Sequence, residues 1–174
     1  MKFKILFVII LLVLLSWNSG NAQEERQLYS MAASAVKSGD LDTAFMHFRS
    51  LLENYPESKY RENPLFAIGE YYYLIADYSD AVKTFISFIS DYPDSKGRQF
   101  ALAYLLKIAQ IRGEESLVKS LEEKIVTLRQ LTLLFSDFKE YKYRSSLLKE
   151  HRVIYYIDKV EFYVDKELFA KISY

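Results

Sequence analysis

Apolar residues recur at three- and four-residue spacing through most of the chain, then switch to strict alternation near the C-terminus. The first spacing lines one face of a helix and the second one face of a strand. Leu28, Met31, Ala32, Ala35 and Val36 share a helix face that ends at a Ser38-Gly39-Asp40 break. Gly suits the left-handed residue after a helix, and Asp40 or Asp42 can cap the next one. A second helix carries Leu41, Ala44, Phe45, Phe48, Leu51 and Leu52, and it stops ahead of Pro56. Proline lacks an N–H and disfavours helix at the residue before it.

The pattern then repeats. Ser38–Lys59 aligns without gaps on Ile75–Lys96 at an offset of 37 residues, with eight identities in 22 positions. These include Asp40/Asp77, Ala44/Ala81, Phe48/Phe85 and the shared Tyr-Pro-x-Ser-Lys close. Leu65, Ile68, Gly69 and Tyr72 line the first helix of the second unit, and Ala81, Phe85, Phe88 and Ile89 its second. The small residues Ala44 and Ala81 let neighbouring helices approach closely. One more step of 37 reaches Gly113 behind a third first-helix, Phe100–Ile111, whose Leu102, Leu105, Leu106 and Ala109 are in register. Its partner departs from the pattern, with Val118 and Glu122 where Ala and Phe stand in the earlier units.

Leu65-x2-Ile68-Gly69-x2-Tyr72, then Ala81-x3-Phe85, then Pro93 resembles the tetratricopeptide repeat (TPR). The first unit matches in its second half, with Ala32 and Ala35 replacing the usual Gly and Tyr. The extended period and the YPxSK close are similar to two periplasmic groups. One is the Tol-Pal-associated YbgF type, the other the TPR lipoprotein of the outer-membrane β-barrel assembly machine. A lipoprotein needs Cys after its cleavage site, and Gln23 stands there, which favours the first group. The resemblance covers roughly Gln27–Gly113. It implies a helical-hairpin solenoid whose first helices form a concave side that holds peptide segments of partner proteins. By register that face comprises Arg26, Tyr29, Phe66, Glu70, Tyr73, Lys107 and Gln110, with Tyr72 turned into the core.

Beyond the repeats, Leu117, Leu121, Ile125, Leu128, Leu131, Phe135 and Phe138 keep helical spacing through a Pro- and Gly-free stretch, 114–150. This predicts one long amphipathic helix, or two broken near Ser136-Asp137. It would cap the open end of the stack or offer a seam to a partner or second copy. In 151–174 the period becomes two. Val160, Phe162 and Val164 alternate with polar residues and Tyr163, then Leu168, Ala170 and Ile172 follow after Asp165-Lys166. That predicts a β hairpin. A lone hairpin is marginal in water, so it must lean on the helix, gain Val153–Ile157 as a third strand, or dock elsewhere.

The chain begins differently. Lys2 and Lys4 precede an apolar run from Ile5 to Leu15, and small residues Gly20 and Ala22 follow. Residues 1–22 read as a secretory signal; the apolar run is short of the roughly 20 residues that span a bilayer. Retention as an anchor is the alternative. Cleavage leaves 152 residues with 21 Lys plus Arg against 23 Asp plus Glu, a charge of −2. Such a balance argues against nucleic acid. The absence of cysteine removes disulfides, thiolate metal sites and cysteine nucleophiles.

Little else suggests chemistry. His47 and His151 are the two histidines, each expected at the surface or partly buried, and neither has a second ligand at metal spacing. Adjacent acids such as Glu122-Glu123 point about 100° apart on a helix and do not make an acid–base pair. The expectation is therefore a mainly α protein: signal segment 1–22, about two and a half TPR-like repeats over 23–113, a long helix over 114–150 and a small hairpin over 151–174. It would bind proteins of the cell envelope, in the periplasm or at the outer membrane, without cofactor or metal and without catalysis. A structural subunit self-associating through the long helix or the hairpin edge is the alternative.

Overall fold

The computed structural model describes residues 23–132 and 138–173. The expected signal segment lies outside them. The described residues fall into two compact units, divided between Arg61 and Glu62.

The first unit is a helical hairpin of α1 (residues 23–38) and α2 (Leu41–Asn54). Gly39 takes the left-handed turn at φ 80°, and Asp40 caps α2 by accepting from the Thr43 N–H at 3.0 Å. Ala32, Ala44, Phe48 and Leu51 form its buried seam, while Met31, assigned to that face, is exposed.

The second unit opens with α3 (Glu62–Leu74) and α4 (Tyr78–Asp91), built to the same plan. Asp77 caps α4 as Asp40 caps α2, with φ and ψ of −79° and 71° against −85° and 81°. The helices end alike, Tyr55 at φ −130° and Tyr92 at φ −129°. Each closing serine ties the hairpin shut. Ser58 donates to Glu25 at 2.8 Å and Ser95 to Glu62 at 2.6 Å, while each hydroxyl also accepts a backbone N–H two residues on. The repeated Ser of the YPxSK close is therefore a latch onto an acid in the first turn of its hairpin's first helix. Tyr72 is half-buried rather than core.

A third hairpin follows, α5 (Arg98–Arg112) and α6 (Glu115–Thr132), joined by left-handed Gly113 at φ 67°. Leu121 and Ile125 bury the inner face of α6. The long helix over 114–150 is thus corrected: α6, Glu115–Thr132, is the second helix of the third pair, and the chain is a strand by Phe138. Residues 133–137 are outside the described set, and Phe138–Arg144 is a strand, β1. In Phe138-Lys-Glu-Tyr-Lys-Tyr-Arg144 the aromatic Tyr141 and Tyr143 alternate with charges. That period-two, β-prone pattern outweighs the helical spacing of Phe135 and Phe138.

The small hairpin is also corrected, to a four-stranded antiparallel sheet in the order β1-β2-β3-β4. β2 is Glu150–Tyr156, β3 Lys159–Val164 and β4 Glu167–Ser173. The Val153–Ile157 segment does supply a strand. Asp165 and Lys166 make the tight turn at φ 49° and 73°, the double positive φ of a type I′ hairpin. A register shift between Phe162 and Tyr163 leaves Phe169 as the extra residue of a bulge. It turns Phe169 toward the helices and leaves Leu168 55% exposed, although the alternation set Leu168 with Ala170 and Ile172. Among the described residues no helix is long and apolar enough to cross a membrane.

Candidate functional site

The seven residues assigned to a concave face come from α1, α3 and α5. On α1, Arg26 is exposed and Tyr29 half-buried. Tyr29 stacks on Tyr60 at 5.1 Å between centroids and meets the Phe48 edge at 6.1 Å, both within its own unit.

The second unit differs. Its sheet lies on the faces of α3 and α5 that were expected to receive a partner. Phe66 and Glu70 are fully buried, so their placement on an open surface is corrected. Phe66 meets Tyr143 at 5.1 Å and His151 at 5.6 Å from the sheet, and Phe85 and Phe88 from α4 at 5.5 and 5.2 Å. Tyr73 packs edge-on against Tyr104 and Phe169. Lys107 keeps its ammonium 6.0 Å from the Phe169 ring, and Gln110 is exposed. The third first-helix joins in through Tyr155, whose hydroxyl donates to Gln99 at 2.9 Å.

At the centre lies a sealed polar cluster. The side chains of His151 and Glu70 are 1% and 0% exposed, and His151 Nε2 lies 3.0 Å from Glu70 Oε1. The Tyr104 hydroxyl donates to the same carboxylate oxygen at 3.1 Å and sits 3.3 Å from His151 Nε2. Burial, and then the negative charge of Glu70, hold the Tyr104 hydroxyl well above its ordinary pKa. Tyr73 is raised too, first by burial and then by Tyr78 beside it. Among the described residues, Glu70 Oε2 and His151 Nδ1 have no hydrogen-bond partner. This cluster pins β2 to α3 and α5. His151, expected at or near the surface, was missed. The signal was present in the alternation of His151, Val153 and Tyr155, which puts all three on the buried face of β2.

Several concavities open in this unit among the described residues. An apolar groove of about 310 Å³ runs between α4, α5 and α6, lined by residues such as Ile86, Leu105, Leu117 and Leu121. A second, of about 760 Å³, lies where β1, β2 and the β3–β4 turn meet; Lys142, Arg144, Arg152 and Lys166 supply its cations. No group of three His, Asp or Glu is placed to hold a metal among the described residues.

No curated protein matches the sequence. A family does: residues 21–163 match YfiO, described as outer membrane lipoprotein. Of the two groups that the repeats resemble, the match selects the lipoprotein side, although the sequence has no cysteine to which a thioether-linked lipid could be attached. The three hairpins with their left-handed turns, and the family match across most of the chain, place this protein in the YfiO outer membrane lipoprotein family.

Proposed function

We propose that the chain is a non-catalytic adaptor of the bacterial envelope, exported to the periplasm, that holds segments of other envelope proteins. Family membership is the observation that carries this reading. Its TPR-like hairpins supply rigid, closely spaced helix faces, the kind of surface on which aromatic and Arg side chains give contact area and directional bonds. Arg26 and Gln110 are exposed, and Tyr29, Tyr73 and Lys107 are half-exposed. These five are the residues a partner reaches; Phe66 and Glu70 hold the sheet instead.

Photo-crosslinking in living cells tests this. A crosslinker introduced at Arg26, Tyr29 or Gln110 is expected to capture envelope proteins, and one at Phe66 only the chain itself. If none of the exposed positions yields an intermolecular product, the adaptor reading fails.

A further inference from the structure

β1 forms one margin of the sheet, and among the described residues no strand pairs with its outer side. The hydrogen-bond phase fixes which of its groups face outward. Asp165 N–H donates to the Glu150 carbonyl at 2.8 Å, and Glu150 N–H donates to Asp165 Oδ1 at 2.9 Å, so residue 150 is turned toward β3. Ser145 N–H, across the β1–β2 connection, donates to the Lys149 carbonyl at 3.1 Å. In an antiparallel ladder the direction alternates residue by residue. Odd-numbered residues of β1 and β2 therefore bond each other, and Phe138, Glu140, Lys142 and Arg144 aim their N–H and C=O groups out of the sheet. The side chains of these four alternate with Tyr141 and Tyr143, so they occupy the face away from the helices.

Such an edge is usually blunted by charge. Here the charges are arranged as a palindrome. Two copies of β1 laid antiparallel with Tyr141 opposite Tyr141 bring Glu140 opposite Lys142, and Phe138 opposite Arg144, each pair occurring twice. The two Glu140–Lys142 pairs are formed by residues whose backbone groups face the gap, so each exchanges two hydrogen bonds. A slip of two residues in either direction sets Glu140 on Glu140 or Lys142 on Lys142, and like charges directly opposite are repulsive. Phe138, now 58% exposed, would gain an Arg over its ring. Within one chain Glu140 already has Arg152 at 3.8 Å and Lys142 at 3.4 Å; pairing lets it keep the first and exchange the second for Lys142 of the other copy.

We propose that β1 joins β1 of a second copy in this register, making one continuous eight-stranded sheet. The strand lies outside the segment where the sequence predicts a hairpin, and the proposal stands apart from the adaptor reading.

Sedimentation of the exported protein tests it with three substitutions. The wild type is expected to move from monomer toward dimer as concentration rises through the micromolar range. Glu140→Lys and Lys142→Glu each oppose like charges and should weaken association by about tenfold or more. Mixed in equal amounts the two variants restore both opposite-charge pairs, so the mixture should dimerise where neither does alone. Lys142→Pro removes only an outward N–H, which an edge strand tolerates; it should leave the fold intact and abolish dimer. A wild type that stays monomeric, a mixture no more associated than its components, or a Lys142→Pro variant that still dimerises would overturn the proposal.

Discussion

The first two hairpins share a backbone plan and differ in what their first helices present. A step of 37 residues pairs Tyr29 with Phe66, Ala33 with Glu70 and Val36 with Tyr73. On α1, Tyr29 leans on Phe48 and Tyr60 of its own hairpin. On α3 all three positions meet the sheet, through Tyr143, His151 and Phe169. The caps and the Ser–Glu latches are the same in both. A repeat can thus keep its fold through capping and closing bonds, while a few first-helix side chains decide whether its inner face takes up another element of the chain.

Removing side chains at paired positions should separate the two hairpins most. Phe66→Ala empties a fully buried ring site and should cost about 3–5 kcal/mol. Tyr29→Ala, at a half-buried site, should cost roughly 1–2 kcal/mol by the smaller area lost. Denaturant unfolding followed by circular dichroism measures both, and equal losses would erase the contrast. Glu70→Ala leaves the Tyr104 hydroxyl buried without its acceptor and should cost about 1–3 kcal/mol. Ala33→Glu, at the half-exposed counterpart, should stay within about 0.5 kcal/mol.

The seams offer a second contrast. Gly69 and Ala32 are paired positions. A Cβ on Gly69 would come within 2.8 Å of the Phe85 ring, so Gly69→Ala should destabilise by about 1–3 kcal/mol. Ala32→Gly loses only about 1 kcal/mol of helix propensity plus its small buried methyl.

The turns invert the comparison. Gly39 and Ala76 both adopt positive φ, 80° and 59°. Gly39→Ala should cost about 1–2 kcal/mol, and Ala76→Gly should recover up to about 1 kcal/mol as relieved strain outweighs added chain entropy. Thermal unfolding of the pair should show shifts of opposite sign.

The smallest effect expected is an alkaline one. The folded pKa of Tyr104 lies above its unfolded value, so its contribution is complete below about pH 10 and is lost as pH rises from there toward the folded pKa. Tyr104→Phe should flatten the fall of stability above about pH 10 relative to the wild type. Equal slopes would mean that Tyr104 does not contribute.

Much of the helical half was legible because its signals are local. Gly39, Asp40, Asp77, Pro56 and Pro93 mark turns and caps by their own backbone chemistry, and the 37-residue identity repeats them. Even Gly113 announced the third turn, although Val118 and Glu122 hid that the helix after it completes a third pair. The sheet was half legible. Asp165-Lys166 marked its turn, but Phe138 fell on the helical period of α6 and disguised β1. The bulge that turns Phe169 inward and Leu168 outward depends on tertiary packing against Tyr104, which no local pattern encodes. Burial of Phe66 and Glu70 could not be read from the repeats at all, because residues some 80 positions later supply the cover.

The central claim is that the C-terminal sheet closes over α3 and α5. The chain's two histidines report on it directly. His47 is partly exposed on α2, and His151 is 2% exposed between sheet and helices. Treatment of the folded protein with diethylpyrocarbonate, read by mass spectrometry, should acylate His47 and spare His151, with both reacting once the chain is unfolded. Equal reactivity of His151 and His47 in the native protein would contradict the closed face and the account built on it.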